Sequence, residues 1–206
     1  MLVGTDGRRL AIDHVYLMES HGGPAALVLP GKLVGELRKI LDSGDERVRC
    51  VVDLSGQRIV FETDTVSLRA LALDGIYPNY AVRMPKRVLT SCTVETELLV
   101  RRLQAAAMFA PDEVRSIQVQ LVSDRGLVLS ASSSDRGATM AELAGVVTGT
   151  ASSLLLDPRF LLDALRVVGS DRVELQVAED PGALLVRRSP ADQFLYLIVP
   201  RTRASG

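Results

Sequence analysis

Two stretches far apart in this 206-residue chain are copies of one another. PGKLVGELRKI and PRFLLDALRVV align without a gap: Pro30 falls on Pro158, Leu33 on Leu161, Leu37 on Leu165, Arg38 on Arg166 and Ile40 on Val168. Downstream, DERVRCVV pairs with SDRVELQV, Val48 on Val173. A third, looser copy runs through TELLVRRLQAAA into SIQVQLVSDRGLVLSAS. The repeated unit is a short helix followed by several strands. One helix cannot cover both faces of its strands, so such units bury their apolar surface by packing side by side. This predicts an α+β fold of repeated helix-plus-antiparallel-strand units, with the helices on one face of a continuous curved sheet.

The local patterns agree. The first helix carries Leu33, Leu37, Ile40 and Leu41 on one face, the second Leu99, Leu103, Ala106 and Ala110, the third Leu161, Ala164, Leu165 and Val168. Asp157 is a good N-cap for the third, Pro158 suits its first turn and Gly169 its end. Period-two alternation places Val48, Cys50, Val52 and Leu54 inward on one strand, Ile117, Val119 and Leu121 on a second, and Val173, Leu175 and Val177 on a third. The turns LSGQ, SDRG and EDPG favour antiparallel meanders. PKRVLTSCTVETE reads as a connector between two compact halves, residues 1–86 and 87–206.

Hydrophobic residues make up 47% of the chain and charged residues 24%, the profile of a soluble globular protein. Aromatics are only 4%, without tryptophan, so the core must be aliphatic. A net charge of −1 argues against a protein that coats nucleic acid, though it leaves room for a local basic stripe. Cys50 and Cys92 are too few for a disulfide framework and are expected as reduced, semi-buried thiols. There is no membrane-length apolar run and no signal-peptide pattern at MLVGTDGRR, so the expected location is the cytoplasm.

Three strings add a resemblance: GTDGRRLA (Gly4–Ala11), LDGIYPNY (Leu73–Tyr80) and FLYLIVP (Phe194–Pro200). In this order, separated by helix-and-strand units, they resemble the bacterial DNA polymerase III β subunit, the sliding clamp. The likeness runs over essentially the whole chain. It implies the DNA clamp fold, with residues 1–86 as the second half of the family's middle domain and 87–206 as its complete last domain. Family clamps have three similar domains and close head to tail into a ring around duplex DNA; here the first domain is missing. The family's ring joint uses that domain, so the chain is either a fragment of a longer protein or a truncated clamp-like protein with another job.

The resemblance also implies a groove for short peptides carried by polymerases, the clamp loader and repair proteins. The positions that match its walls are Thr5, Gly7, Arg8, Arg9, Leu10, Pro78, Arg83, Ala183, Leu197 and Val199. Pro78 presents an apolar face at little entropic cost, Gly7 allows close backbone approach, and Leu10, Leu197 and Val199 would form an apolar floor. Arg83 departs from the pattern, standing where the family carries an aliphatic residue, and so does the tail RTRASG. Read without the resemblance, Tyr77-Pro78 is a strand-ending turn with Tyr80 in the core.

In the family the helices line the ring. Their cations here are Lys32, Arg38, Lys39, Arg101, Arg102, Arg159 and Arg166, diluted by Glu36, Glu97 and Asp163. They read either as a sequence-independent face toward duplex DNA or as an ordinary solvated helix face. The implied partners are thus clamp-binding peptides, duplex DNA and a second copy through self-association, with no membrane. A contrasting reading is a clamp-derived regulatory or dimerisation module, part of a longer transcription regulator, without processivity activity. Enzyme chemistry has little support. HGG at His21–Gly23 is not followed by a G-x-S-x-G elbow, the cysteines lack metal spacing, and no phosphate loop is present. Asp6 reads as a turn carboxylate, and Glu95, Glu97 and Asp112 as helix-end charges. No cofactor is expected.

Overall fold

The computed structural model describes residues 1–23, 25–41, 47–53, 55, 57–111, 115–179 and 182–201. Strands β1 (Leu2–Thr5) and β2 (Arg9–Asp13) open the chain. Helix α1 (Gly31–Leu41) precedes strands β3 (Arg49–Val52), β4 (Arg58–Glu62) and β5 (Ser67–Leu71). A 3-10 turn over Tyr80–Arg83 leads to β6 (Val88–Glu95), α2 (Thr96–Ala107), β7 (Ile117–Val122), β8 (Gly126–Ser133), β9 (Gly137–Leu143) and β10 (Val146–Gly149). The last elements are β11 (Ser152–Leu156), α3 (Pro158–Val168), β12 (Arg172–Ala178), β13 (Leu184–Arg187) and β14 (Leu195–Ile198). Each of the three helices is followed by a three-stranded antiparallel meander, so the repeat seen in the sequence is the repeat of the fold.

The chain forms two compact units. The larger joins Met1–Tyr16 to Arg83–Gly206, and the smaller is Leu17–Val82. In the larger unit the strands make a seven-stranded sheet, in the order β1-β2-β14-β13-β12-β6-β10, and a four-stranded sheet, β11-β7-β8-β9. Two repeats build this unit by exchanging their leading strands. β6, which runs into α2, pairs with β12 of the other repeat, and β11, which runs into α3, pairs with β7. Every ladder is antiparallel, as the short turns between strands require. Leu99 and Leu103 of α2, Leu161 and Leu165 of α3, and Ile117, Val119, Leu121, Val173 and Leu175 of the strands all join one aliphatic core.

The two caps expected for α3 are present. The Asp157 side chain accepts a hydrogen bond from the Arg159 amide, and Gly169 ends the helix at φ 61°. Asp157 is only 2% exposed and does more than cap. Its carboxylate also accepts from the Arg159 guanidinium at 2.6 Å and from Arg201 Nη2 at 3.1 Å, while the Arg201 amide donates to the Leu155 carbonyl at 2.8 Å. The segment after β14 is thereby fastened to the strand before α3.

Several expectations need correction. The supposed connector PKRVLTSCTVETE contains β6, which lies between β12 and β10 inside the seven-stranded sheet, and the start of α2. Its inward positions are Thr90, Cys92 and Val94, at 1%, 0% and 1% exposure. Two of these are small and one is polar, which hid the alternation. Cys92 is fully buried, and burial pushes its thiol up to about 11, whereas Cys50 is exposed. Ala110 is buried but lies beyond the end of α2.

In the smaller unit β3, β4 and β5 form their own sheet. No residue of α1 is buried, although Leu33, Leu37 and Ile40 were expected as core, and Leu41 is 41% exposed. Val48, just before β3, and Cys50 on it are exposed, and Val52 is half-buried; Leu54 and Asp112 lie outside the described residues. The apolar stripe of α1 is real, but no second repeat stands opposite it among the described residues. Burial needs a partner surface as well as a pattern.

Replacing Asp157 tests the fastening of α3. Asp157→Ala should lower unfolding stability by about 2–4 kcal/mol, from the lost cap and the uncompensated arginines. Burial alone would raise the carboxyl's pKa, but the bonds from Arg159 and Arg201 outweigh it and hold it below the ordinary aspartate value. This group therefore contributes fully above the unfolded aspartate value of about 3.9 and loses its contribution as pH falls through the lower folded value. Asp157→Asn should flatten the stability-versus-pH curve in that acid window, read by urea melts from pH 5 downward.

Candidate functional site

The turn TDGRR joins β1 to β2 and is built almost wholly from its own side chains. Thr5 Oγ1 donates to the Arg9 carbonyl at 2.7 Å and accepts from the Gly7 amide at 3.1 Å. Asp6 Oδ1 accepts from the amides of Arg8 and Arg9 at 3.0 and 3.1 Å. Gly7 sits at φ 85°, in the left-handed region that favours glycine. Partial burial pushes the Asp6 carboxyl up, but these amides and the Arg9 guanidinium outweigh it and hold it below its ordinary value. Asp6 is a turn carboxylate.

Arg9 carries the turn onto α3. Its Nη1 reaches Asp163 Oδ2 at 2.6 Å, its Nε reaches Asp6 Oδ2 at 2.8 Å, and its guanidinium carbon lies 4.6 Å from the centre of the Phe160 ring. At the other end of the hairpin Arg188 plays a matching part. It contacts Asp13 at 3.1 Å, lies 4.5 Å over the Phe194 ring, and donates to the Val168 carbonyl at the end of α3. A planar cation that forks to carboxylates while stacking on a ring is something lysine does not supply.

Between these two clamps β2 lies against β14: Leu10 opposite Leu197, Ala11 opposite Tyr196, Ile12 opposite Leu195. The Val199 amide extends the ladder by donating to the Arg8 carbonyl at 2.9 Å. Paired residues share a face and the period along each strand is two. One face therefore holds Leu10, Leu197 and Val199, together with Leu185, which faces Leu197 from β13. Ala183, one step before β13 and in register with Val199, falls on the same face. The opposite face carries Arg9, Tyr196 and Ile198 and looks toward α3; Tyr196 and Ile198 belong to the main core. Leu10, Leu197 and Ala183 are buried at 5%, 4% and 0%, whereas Val199 is 44% exposed.

Of the residues singled out in the sequence, Leu10, Ala183, Leu197 and Val199 thus come together on one face. Arg8 is exposed beside Val199, Thr5 and Gly7 form the adjoining turn, and Arg9 faces the helix side. Arg83 closes the 3-10 turn and is exposed. Pro78 belongs to the smaller unit, where it is exposed, and Tyr77 and Tyr80 beside it meet edge to face at 6.4 Å. Among the helix cations, Lys39 pairs with Glu36, Arg101 with Glu97 and Arg166 with Asp163, each at 2.8 Å, and Arg159 pairs with Asp157. Lys32, Arg38 and Arg102 are exposed. The residues that sequence reasoning missed are Phe160, Arg188 and Arg201. An arginine's long-range partner leaves no local signature.

Comparison with known proteins places this geometry. Residues 83–202 match the C-terminal domain of the DNA polymerase III beta subunit, and residues 1–79 match its central domain. The beta sliding clamp of Caulobacter vibrioides is 24% identical over 199 residues, spanning 96% of this chain and 52% of the relative. That of Bacillus subtilis is 26% identical over 203 residues, spanning 97% and 53%. The chain therefore spans about half the length of the curated relatives it matches. Among solved structures, the DNA polymerase sliding clamp from Bacillus subtilis superposes with a TM-score of 0.90 at 23% identity, covering 98% of this chain and 53% of that one. The DNA polymerase III subunit beta from Pseudomonas aeruginosa gives 0.87 at 22% identity, covering 97% and 54%. The fold is the DNA clamp fold, and the chain belongs to the DNA polymerase III beta subunit family.

Proposed function

We propose that this chain works as a sliding-clamp-like, non-catalytic binding protein of DNA replication or repair. Its face on β2 and β14 accepts an apolar anchor from a short peptide carried by a polymerase, a clamp loader or a repair protein. The observation that carries the reading is the grouping of Leu10, Leu197, Ala183 and Val199 on one sheet face, with Val199 left 44% exposed at its rim. A rigid strand pair offers such a peptide preformed apolar surface, so little ordering entropy is lost on binding. Thr5, Gly7, Arg8, Arg9 and Arg83 complete the reading as groove residues within the larger unit. Residues 1–86 act as a partial clamp domain and residues 87–206 as a complete one. The setting is the cytoplasm, and among the described residues no helix is long and apolar enough to cross a membrane.

The helices face duplex DNA in this reading, in an oligomer that encircles it. Three of the seven helix cations are engaged by an acidic residue three or four positions away on the same helix, which weakens the field they present. Holding DNA then depends on enclosure more than on affinity.

Two measurements test this. Val199→Asp, on an exposed side chain, should weaken binding of a polymerase-tail peptide at least tenfold by fluorescence anisotropy, with an unchanged circular dichroism spectrum; unchanged affinity removes the assignment. On linear duplex, binding should be weak, indifferent to sequence and lost as salt rises. Tight, salt-insensitive or sequence-selective binding to linear DNA would overturn the encircling role.

A further inference from the structure

Around Val199 the arginines outnumber the carboxylates that hold them. Asp6 is taken by the Arg9 guanidinium and by the amides of Arg8 and Arg9. Asp163 is shared by Arg9 and Arg166, and Asp157 by Arg159 and Arg201. Three carboxylates thus serve four arginines. Arg8 adds a fifth guanidinium, which meets no acceptor among the described residues. The surplus gathers at one place. Arg8 is exposed and stands directly across from Val199, whose amide donates to the Arg8 carbonyl at 2.9 Å. Arg201 follows Val199 by two positions. Its side chain is 29% exposed, gives Nη2 to the shared Asp157 and keeps a buried Nε without an acceptor. The apolar Val199 side chain, 44% exposed, is therefore flanked by one arginine with no counter-ion and another that shares its own.

We propose that Arg8 and Arg201 set the charge of the peptide that this face accepts: an apolar anchor over Val199 with aspartate or glutamate beside it. The inference rests on the peptide-binding reading and names the ligand's chemistry. Neighbouring strands lie about 4.8 Å apart, so Arg8 is within reach of the residue next to an anchor seated on Val199. None of its guanidinium N–H groups is engaged, so a carboxylate can take two of them at once. The geometry favours a peptide over a nucleic acid. A phosphate backbone would use the two cations but bring nothing apolar to Val199, whereas an acidic peptide with an apolar anchor uses all three side chains. Rim charges of this kind choose between partners and speed encounter more than they add affinity, and salt weakens them. Arg201 opens the tail RTRASG, one of the places where the sequence departs from the family pattern, so the preference is a property of this chain.

The test uses the intact chain and two peptides of equal length with the same apolar anchor, one carrying aspartates beside it and the other asparagines. By fluorescence anisotropy the acidic peptide should bind about tenfold more tightly at low salt, and the ratio should shrink as salt rises. Arg8→Ala should bring the ratio close to one and Arg8→Glu should reverse it, each with an unchanged circular dichroism spectrum. Arg201→Gln, which leaves Asp157 paired with Arg159, should lower the ratio part of the way. Val199→Asp should weaken both peptides. If neither peptide binds, or Val199→Asp changes neither, the peptide-binding reading fails and the charge preference with it. If Val199→Asp weakens both but the two bind equally, or Arg8→Glu leaves the preference intact, the charge assignment alone is overturned. Equal peptide affinities with duplex binding that falls in Arg8→Glu would give the cation to DNA and overturn it as well.

Discussion

The pairing of β2 with β14 is the contact on which the rest of the larger unit's sheet and its candidate site depend. It joins the first residues of the chain to nearly the last, Leu10 to Leu197, and without it β14 would be an open edge. A hairpin joined by one strand pair is free to fray, and two arginines oppose that at its two ends. Arg9 ties the turn to α3 through Asp163 and Phe160; Arg188 ties Asp13 to the helix end and to Phe194. Partly exposed ion pairs each contribute little. Here each belongs to an arginine that also stacks on a ring, so charge, hydrogen bonding and dispersion restrain the same side chain.

The same repeat gives opposite burial in its two settings. α3 buries Leu161, Ala164, Leu165 and Val168, whereas α1, with the same spacing of apolar residues, buries none. The helices also differ locally. Where α3 has Asp157 to satisfy its first amides, the aligned position before α1 is Leu29, which offers no acceptor. A capped helix against a second helix is over-determined. An uncapped one whose stripe is only half-buried is held less firmly.

Much of the fold was legible because two periods write it. The 3.6-residue stripes gave all three helices, and the alternation in SIQVQLVS and RVELQV gave the inward residues of β7 and β12, from Ile117 to Val177. What escaped were strands whose inward residues are not large and apolar, and contacts that cross the chain. β6 reads as a polar connector because Thr90 and Cys92 face inward beside Ser91 and Thr93. The pairing of Leu10 with Leu197 has no sequence signature; only the family resemblance drew those residues into one site. Conversely, the partners that mute the helix cations were visible all along. Glu36, Glu97 and Asp163 stand three or four residues from Lys39, Arg101 and Arg166, and that spacing places each pair side by side on its helix.

Sequence and structure divide the chain at different places, and the difference bears on where the site lives. By family the central-domain match runs over residues 1–79, yet residues 1–16 fold into the larger unit with everything from Arg83 onward. The hairpin is thus central-domain sequence in last-domain structure. A boundary drawn by sequence similarity alone would take β2 away from β14, expose the edge of a seven-stranded sheet and remove Leu10 from Leu197. It would also leave Asp163 and Asp13 on opposite sides of a cut from Arg9 and Arg188 respectively. The face that holds Leu10, Leu197 and Val199 is made by strands from both sequence domains. It exists only while the ladder between them holds, and the two arginine clamps sit at the ends of that ladder.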